Sequence, residues 1–220
     1  MIYQVRLLKG IFEPYRSRYQ LQNAEAVTRL GSKLLVLYFL SLIVFAVGGY
    51  FGIGSESFSK QITAMNANEF EMGKLLIMGG NMVSGLLYPT LYIFLASLYF
   101  WIFAEVPYIK VVILQMILFC LQLLEKVLLM PLLILLDIGN DGNPFSFGVI
   151  SQHFLSNDYF IHVFSEFTIF QILIIFLQYF YLKEFSERNN HLIFILVALF
   201  YVATWFVKAF LAYIHVGVFV

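Results

Sequence analysis

The sequence predicts an all-α membrane protein, a bundle of five transmembrane helices with the N-terminus in the cytoplasm and the C-terminus outside. The first observation is composition, since 61% of the 220 residues are hydrophobic, against about 45–50% in soluble domains. The second is that these residues form apolar runs of the length that a bilayer requires, about 20 residues for one helix. The third is the distribution of positive charge, which indicates the orientation.

Lysine and arginine are sorted to one side of the predicted membrane. Lys60 and Lys74 lie in loops on the other side, and Lys126 and Lys208 lie inside apolar runs. Because cytoplasmic loops of membrane proteins carry an excess of Lys and Arg, this distribution predicts a cytoplasmic N-terminal side. The remaining nine of the 13 basic residues are on that side: Arg6, Lys9, Arg16, Arg18, Arg29, Lys33, Lys110, Lys183 and Arg188.

Two regions are expected: a basic cytoplasmic or interfacial segment, 1–33, and a single transmembrane domain, 34–220. In the first region apolar residues recur at steps of three and four: Ile2, Val5, Leu8, Ile11, Phe12 and Tyr15. This spacing is typical of an amphipathic helix on an anionic membrane surface, and Pro14 interrupts it. The alternative is a basic, partly ordered tail that only sets topology. Four basic residues are expected to contact the inner leaflet: Arg6, Lys9, Arg16 and Arg18.

Five apolar runs are predicted to cross the membrane, at residues 34–53, 74–103, 109–136, 160–181 and 191–213. Glycines near the outer ends of the first two runs would let another helix approach closely, because they carry no side chain. They predict a packing face for a helix of this chain or of a partner protein: Gly48, Gly49, Gly52, Gly79, Gly80 and Gly85.

Four ionisable residues lie inside predicted spans: Glu125, Lys126, Glu166 and Lys208. A charge at the bilayer centre costs about 2.5–3.5 kcal/mol on insertion scales, so such residues face other helices or water. Glu166 and Lys208 are at similar depths on neighbouring antiparallel spans, and we expect them to form an ion pair. With Asn81, these residues predict a charge-neutral polar cluster in the outer half of the bundle. The cluster is either a small hydrated cavity or a set of buried polar contacts between helices.

Motifs of known enzymatic chemistry are absent: the sequence has no GxxxxGK[ST], HExxH or GxSxG pattern. The single cysteine, Cys120, excludes a disulfide framework and a thiolate zinc site. Asp158 and His162 have the spacing of two metal ligands on one helix face, but no third ligand accompanies them. We therefore expect no enzyme activity, no metal and no cofactor. The alternative is a lipid-directed enzyme with Glu125 or His162 as base, which lacks a convergent nucleophile–base pair.

The organisation of the chain is similar to that of a known membrane protein family. The relevant stretches are KGIFEPYRSRYQLQNAEAVTRL at the start, the Pro-containing GLLYPTLYIFLASLYFWIF, and LLMPLLILL. With five spans, a cytoplasmic N-terminal segment and a short turn between spans two and three, the chain resembles bacterial members of the Yip-domain family. Of the eukaryotic DLYGP-type and GY-rich motifs, it has only FEPY at 12–15 and GGY at 48–50.

The resemblance implies a non-enzymatic role in the bacterial plasma membrane. Bacterial members are linked to assembly or regulation of ABC exporters, including those that protect against antimicrobial peptides. We therefore expect membrane lipids and an ABC transporter permease as partners, no nucleic acid, and a second copy of the chain as the alternative occupant of the glycine face. The alternative function is a small transporter or channel that uses the outer polar cluster.

Overall fold

The computed structural model of the chain describes residues 2–53, 67–136, 143–155 and 157–213, and they are mainly helical. The elements, in chain order, are β1 Ile2–Gln4, α1 Leu7–Phe12, α2 Pro14–Gln22, β2 Ala26–Thr28, α3 Leu30–Tyr50, α4 Ala67–Thr90, α5 Ala96–Ala104, α6 Tyr108–Leu136, α7 Gly148–Ser151, α8 Asp158–Ser165, α9 Ile169–Phe185 and α10 Asn190–Tyr213. A π-helical turn, Leu91–Leu95, joins α4 to α5. The two strands pair in parallel, with Ile2 opposite Ala26.

Four helical segments of the described residues are long and apolar enough to cross a membrane: Leu30–Tyr50, Glu71–Ala104, Tyr108–Leu136 and Asn190–Leu211. They correspond to the first, second, third and fifth predicted spans, and they identify the chain as an integral membrane protein of the all-α class. The fourth predicted span, 160–181, is divided between α8 and α9, so the prediction of one uninterrupted helix there was wrong. Helix α9 has 17 residues, about 25 Å at 1.5 Å per residue.

Helix α6 is the central element of the bundle. Its side chains from Val111 to Phe119 are buried on every side. One apolar cluster joins it to α5, α9 and α10, and a second joins it to α1, α3 and the N-terminal strand β1. A helix that is apolar all round suits this position, because none of its faces is left for water.

Residues 2–28 form two strands and two short helices, and the predicted amphipathic helix was wrong. Four of the apolar positions expected to share one helix face are exposed: Ile2, Leu8, Phe12 and Tyr15. Val5, another of the predicted positions, is buried, together with Tyr3, Leu7 and Leu21, and these four residues pack against the bundle. The predicted spacing failed because it was counted through a strand, where side chains alternate with a period of two residues.

Gly10 allows α1 to pack directly against the central helix. A Cβ at this position would lie 2.5 Å from Ile117 Cδ1. The Tyr181 hydroxyl donates a hydrogen bond to the Gly10 carbonyl oxygen at 2.9 Å. On α2, the Arg18 guanidinium lies 3.3 Å from the Glu184 carboxylate at the end of α9. The N-terminal segment is therefore joined to two helices of the bundle.

The end of the bundle that carries residues 2–33, here called the basic end, is closed by contacts between two turns. The Ser186 hydroxyl donates to the Ala104 carbonyl oxygen at 2.6 Å, and the Arg188 guanidinium donates to the Glu105 carboxylate. That hydrogen bond and the positive charge lower the pKa of the Glu105 carboxyl below its ordinary value. The turn after α5 is thereby tied to the turn after α9.

Three of the predicted packing glycines lie inside the contact of α3 with its neighbours. A Cβ on Gly49 would be 2.9 Å from Asn81 Nδ2, and one on Gly85 would be 3.0 Å from Phe45 Cβ. Gly48 lies similarly close to α6. Because these positions tolerate no side chain without a shift, they serve close packing within the chain.

The other three predicted glycines have different surroundings. Gly52 has φ 72° and belongs to the turn after α3, a conformation that favours glycine. Gly79 and Gly80 are exposed on α4, and a Cβ added to either would meet no described atom within 4 Å. This pair therefore contributes to the outer surface of the bundle and leaves room for a neighbouring helix.

The interruption of the fourth predicted span is held by the segment that precedes it. The Phe147 N–H donates to the Phe167 carbonyl oxygen at 3.0 Å, and the two chain segments run antiparallel there. Gly148 approaches Ser165 so closely that a Cβ would lie 2.9 Å from the Ser165 Cα. Backbone pairing thus satisfies polar groups that a continuous helix would have satisfied internally.

Replacement of Gly10 by alanine should destabilise the protein by about 1–3 kcal/mol, because the new methyl group overpacks the contact with Ile117. In an Ile117→Ala background, where the neighbouring side chain is shorter, Gly10→Ala should lower the free energy of unfolding by a smaller amount. The measurement is unfolding of the purified protein in detergent. Gly31→Ala is the control, since a Cβ added at that glycine would meet no described atom within 4 Å. An equal Gly10→Ala cost in both backgrounds would contradict the contact.

Candidate functional site

A polar cavity of about 380 Å³ lies in the half of the bundle opposite the basic end. It is lined by the four ionisable residues of the predicted cluster, Glu125, Lys126, Glu166 and Lys208. The other lining residues are Tyr88, Gln122, Leu129, Asn143, His162, Ser165, Thr168, Gln171 and Ala209. Helices α4, α6, α8, α9 and α10 contribute to this wall, so the space is a product of tertiary packing. We refer to it below as the polar cavity.

Glu166 and Lys208 form the ion pair that the sequence predicted. The Lys208 Nζ and Glu166 Oε2 atoms are 2.6 Å apart. The two side chains are 36% and 32% exposed, so the pair is partly open to the surroundings of the bundle. In an apolar bundle, the opposite charge and the hydrogen bond offset the cost of removing each group from water.

A helix start at Thr168 brings Glu166 to the polar cavity. The Thr168 hydroxyl oxygen accepts a hydrogen bond from the Gln171 N–H at 3.0 Å and caps α9. Such a cap satisfies one of the donors that every helix leaves unpaired at its first turn. Because α8 ends at Ser165 and α9 begins at Ile169, Glu166 lies in the gap between the two helices.

Glu125 is the most enclosed carboxylate of the polar cavity, with 8% of its surface exposed. The Thr168 hydroxyl lies near it in the wall of the polar cavity, and the charges of Lys126 and Lys208 act on it. The residue that caps α9 therefore also lies beside a buried acid. A buried carboxylate needs such partners, because its burial without them is strongly unfavourable.

Lys126 is held over aromatic rings. Its Nζ lies 4.6 Å from the centroid of the Phe45 ring and 5.5 Å from that of Tyr88. These distances are in the range of cation–π contacts, which occupy one side of an ammonium group. The ammonium retains N–H donors that can meet an anionic oxygen in the polar cavity.

Asn81 lies outside the polar cavity, and its inclusion in the predicted cluster was wrong. It lines a separate, mainly apolar cavity of about 200 Å³, which shares Lys126 with the polar one. Its Nδ2 donates to the Ile77 carbonyl oxygen of its own helix at 3.1 Å. Close packing against Gly49 turns this face of α4 toward α3 and away from Glu125.

Gln122 carries a buried acceptor that no described residue pairs with. Its Nε2 donates to the Tyr88 hydroxyl at 2.6 Å. Its Oε1 is buried and has no hydrogen-bond partner among the described residues. Since an unsatisfied buried polar atom costs about 1–3 kcal/mol, a bound group with an N–H or O–H donor would be stabilised at this point.

The charges of the polar cavity balance. Glu125 and Glu166 carry two negative charges, and Lys126 and Lys208 carry two positive ones. The space of about 380 Å³ is about thirteen times the roughly 30 Å³ that one water occupies in the liquid. Of the two interpretations drawn from the sequence, the polar groups therefore support the cavity, while the Glu166–Lys208 pair also links α10 to the α8–α9 gap. The arrangement suits recognition of a polar group.

No group of three or more His, Cys, Asp or Glu side chains that could hold a metal ion occurs in the part of the chain that the structure describes. His162 lines the polar cavity. The side chain of Asp158 lies outside the described residues, so the alternative of an Asp158–His162 metal site has no structural test. Cys120 is a partly buried residue of the central helix.

Three of the four predicted inner-leaflet residues lie together at the basic end. Arg6, Lys9 and Arg16 are exposed and line one depression of about 20 Å³. Arg18 differs, because its side chain is only 17% exposed and is paired with Glu184. Its assignment to lipid contact is corrected to one of docking α2 on α9. Lipid contact by the other three residues stays a prediction.

Comparisons of the chain with known protein families, with curated proteins and with solved structures found no match. Function is therefore inferred from the charge pattern of the sequence and from the side chains that the fold brings together. The polar cavity, of about 380 Å³, brings together four ionisable residues from well-separated parts of the sequence.

The wall of the polar cavity contains residues that the sequence interpretation missed. Gln122 precedes Glu125 and Lys126 by three and four residues, a spacing that places all three on one side of α6. The pattern Thr168-x-x-Gln171 is that of a capping box, and it would have predicted the break before α9. No comparable signal distinguishes Tyr88 from the other aromatic residues of α4.

The substitutions Glu166→Gln and Lys208→Met should each destabilise the protein by about 1–3 kcal/mol, because each leaves one charge of a partly buried pair unmatched. The double variant should recover part of that loss, since it removes both charges. Unfolding in detergent measures the three differences, and Glu187→Gln serves as the control, because Glu187 is exposed at the basic end. Strictly additive losses would rule out a coupled pair.

Proposed function

We propose that the chain is a non-enzymatic membrane interaction protein that assists assembly or regulation of an ABC-type exporter. Five membrane crossings are proposed, with α8 and α9 together making the fourth and the basic end in the cytoplasm. The sorting of Lys and Arg to that end supports this orientation. The resemblance to bacterial Yip-domain proteins supports the exporter partner, a role in antimicrobial-peptide resistance and a place in the bacterial plasma membrane.

The observation that carries this proposal is an apolar barrier between the polar cavity and the basic end. Next to Gln122, toward that end, α6 presents Leu118 and Leu114, both fully buried. Helix α9 faces them with Ile174 and Leu177 in the same apolar cluster. A permanently hydrated route for ions or solutes would need polar lining through the whole membrane. The polar groups end instead in a layer that resembles a protein core.

A polar contact between Gln115 and Gln178 lies within the barrier. The Gln115 Nε2 donates to Gln178 Oε1 at 3.0 Å, and both side chains are buried. This hydrogen bond links α6 to α9 across the apolar cluster. It strengthens the association of the two helices, as amide groups do between helices in membranes.

A partner helix has a suitable surface on α4. Gly79 and Gly80 are open, and Leu76 and Val83 beside them are 76% and 55% exposed. Small residues at this spacing let a neighbouring helix approach its backbone closely, which is the main source of helix association in lipid. We assign this surface to the permease, with a second copy of the chain as the competing occupant.

The substitution Gly80→Leu should reduce recovery of an ABC permease with the chain by about tenfold or more, since a side chain there would hold the partner helix away. Affinity purification in mild detergent followed by mass spectrometry measures the recovery. Gly31→Leu is the matched control, because Gly31 is another helical glycine with no described atom within 4 Å of an added Cβ. Equal recovery with both variants, or recovery of this chain alone, would contradict the exporter partner.

The polar cavity favours a second candidate function, that of a small transporter. In that case the apolar barrier would have to open, and the purified protein in proteoliposomes should release a trapped polar solute. The Glu166→Gln and Lys208→Met variants should lower this flux by about tenfold, since each alters the charge balance of the cavity. The accessory role predicts flux no greater than that of protein-free vesicles.

A further inference from the structure

The polar cavity has the electrostatics of a binding site for a neutral ligand that carries both charges. Its two carboxylates and two ammonium groups already balance within an apolar bundle. A ligand with a net charge would leave one charge unmatched where its solvation is poor, which is strongly unfavourable. A zwitterion adds one charge of each sign and preserves the balance.

The acceptors of the polar cavity match a primary ammonium group. Glu125 and Gln122 are three residues apart on α6 and share a side of it. The Gln122 Oε1 is buried and has no donor among the described residues, and the Glu125 carboxylate is 8% exposed. Glu166, which is paired with Lys208, supplies a second carboxylate to the lining. A primary ammonium has three N–H donors, whereas a quaternary one has none.

The donors of the polar cavity match a phosphate group. Lys126 has one side against the Phe45 and Tyr88 rings and is four residues from Gln122 on the same side of α6. Lys208 lies on the facing helix α10. The two ammonium groups and the nearby hydroxyls supply more hydrogen-bond donors than the two oxygens of a ligand carboxylate need. The oxygens of a phosphate group can accept these additional hydrogen bonds.

We propose that the polar cavity binds the phosphoethanolamine group, with its ammonium toward Glu125 and Gln122 and its phosphate toward Lys126 and Lys208. The volume of about 380 Å³ is within the usual range of small-ligand sites. The source is either the headgroup of phosphatidylethanolamine or a soluble phosphodiester of the same net charge, such as glycerophosphoethanolamine. The partial exposure of Glu166 and Lys208 provides the side opening that a lipid-borne group requires. This site goes beyond the accessory role and does not depend on it.

Binding is tested with the purified full chain in detergent, by titration with short-chain phosphatidylethanolamine, soluble glycerophosphoethanolamine and short-chain phosphatidylcholine. The choline lipid is the matched control, because it has the same phosphate and net charge and lacks N–H donors. Phosphatidylethanolamine should bind at least about tenfold more tightly than phosphatidylcholine, the difference of one charge-assisted hydrogen bond. Equal affinity for the two lipids, or no binding of either ethanolamine compound, overturns the proposal.

The two ethanolamine compounds separate the sources. Tighter binding of the lipid than of glycerophosphoethanolamine identifies the headgroup as the ligand. Equal or tighter binding of the free compound identifies the soluble zwitterion. Both results support recognition of phosphoethanolamine, and neither depends on recovery of a permease, so failure of the accessory role leaves this test intact.

Variants locate the site. Lys126→Gln should weaken binding of phosphatidylethanolamine by about tenfold, since it removes a charge opposite the phosphate. Lys183→Gln is the matched control, because Lys183 also lies over two aromatic rings, those of Tyr179 and Phe180, and is remote from the polar cavity. Glu125→Gln, paired with Glu105→Gln, gives the same comparison for the ammonium side if the first variant fails to fold. Unchanged affinity in the folded cavity variants overturns the proposed location.

Discussion

Charge balance in a medium that solvates charge poorly is the constraint on which the rest of this bundle depends. Glu125, Lys126, Glu166 and Lys208 lie among helices that are otherwise apolar. The structure accommodates them by an ion pair at 2.6 Å, by aromatic rings beneath Lys126 and by the Thr168 hydroxyl beside Glu125. Each device supplies a partner that water would supply elsewhere. The interruption between α8 and α9 follows from the same requirement, because it places Glu166 within reach of Lys208.

The central helix connects the two ends of the molecule. At the basic end, α6 receives the N-terminal segment through the contact of Gly10 with Ile117. In the middle it is buried on every side, and the apolar clusters around it separate that end from the polar cavity. Farther along, the same helix provides Gln122, Glu125 and Lys126 to the cavity wall. One helix thus provides the surface on which the N-terminal segment docks, part of the apolar barrier and three side chains of the polar cavity. Its polar residues are confined to a few positions because most of its length is apolar packing surface.

The glycines of the first two spans illustrate two uses of the same residue type. Gly49 and Gly85 lie within the contact of α3 with α4, where an added Cβ would collide with the facing helix. Gly79 and Gly80 lie on the outer surface of α4 and leave space for another helix. In sequence these positions look alike, because a small residue near a helix end has no intrinsic direction. The rotation of α4 against α3 decides which glycines remain available to a partner.

The membrane class, the positions of four long apolar helices and the Glu166–Lys208 pair followed from the amino-acid order. The length of a hydrophobic run and the free-energy cost of placing a charge inside it can both be judged from one stretch of sequence. Because a short turn joins the last two spans, residues equally far from that turn, such as Glu166 and Lys208, lie at similar depths in the membrane. The folded N-terminal segment, the break before α9 and the exclusion of Asn81 from the polar cavity were decided by tertiary contacts. Tyr3 and Leu21 are buried because α6 and β2 come together around them, and Glu166 leaves the helix because residues 145–147 pair with residues 167–169. These outcomes depend on which surfaces of the chain pack together across long sequence distances. The periodicity of one segment does not indicate which other segment it packs against.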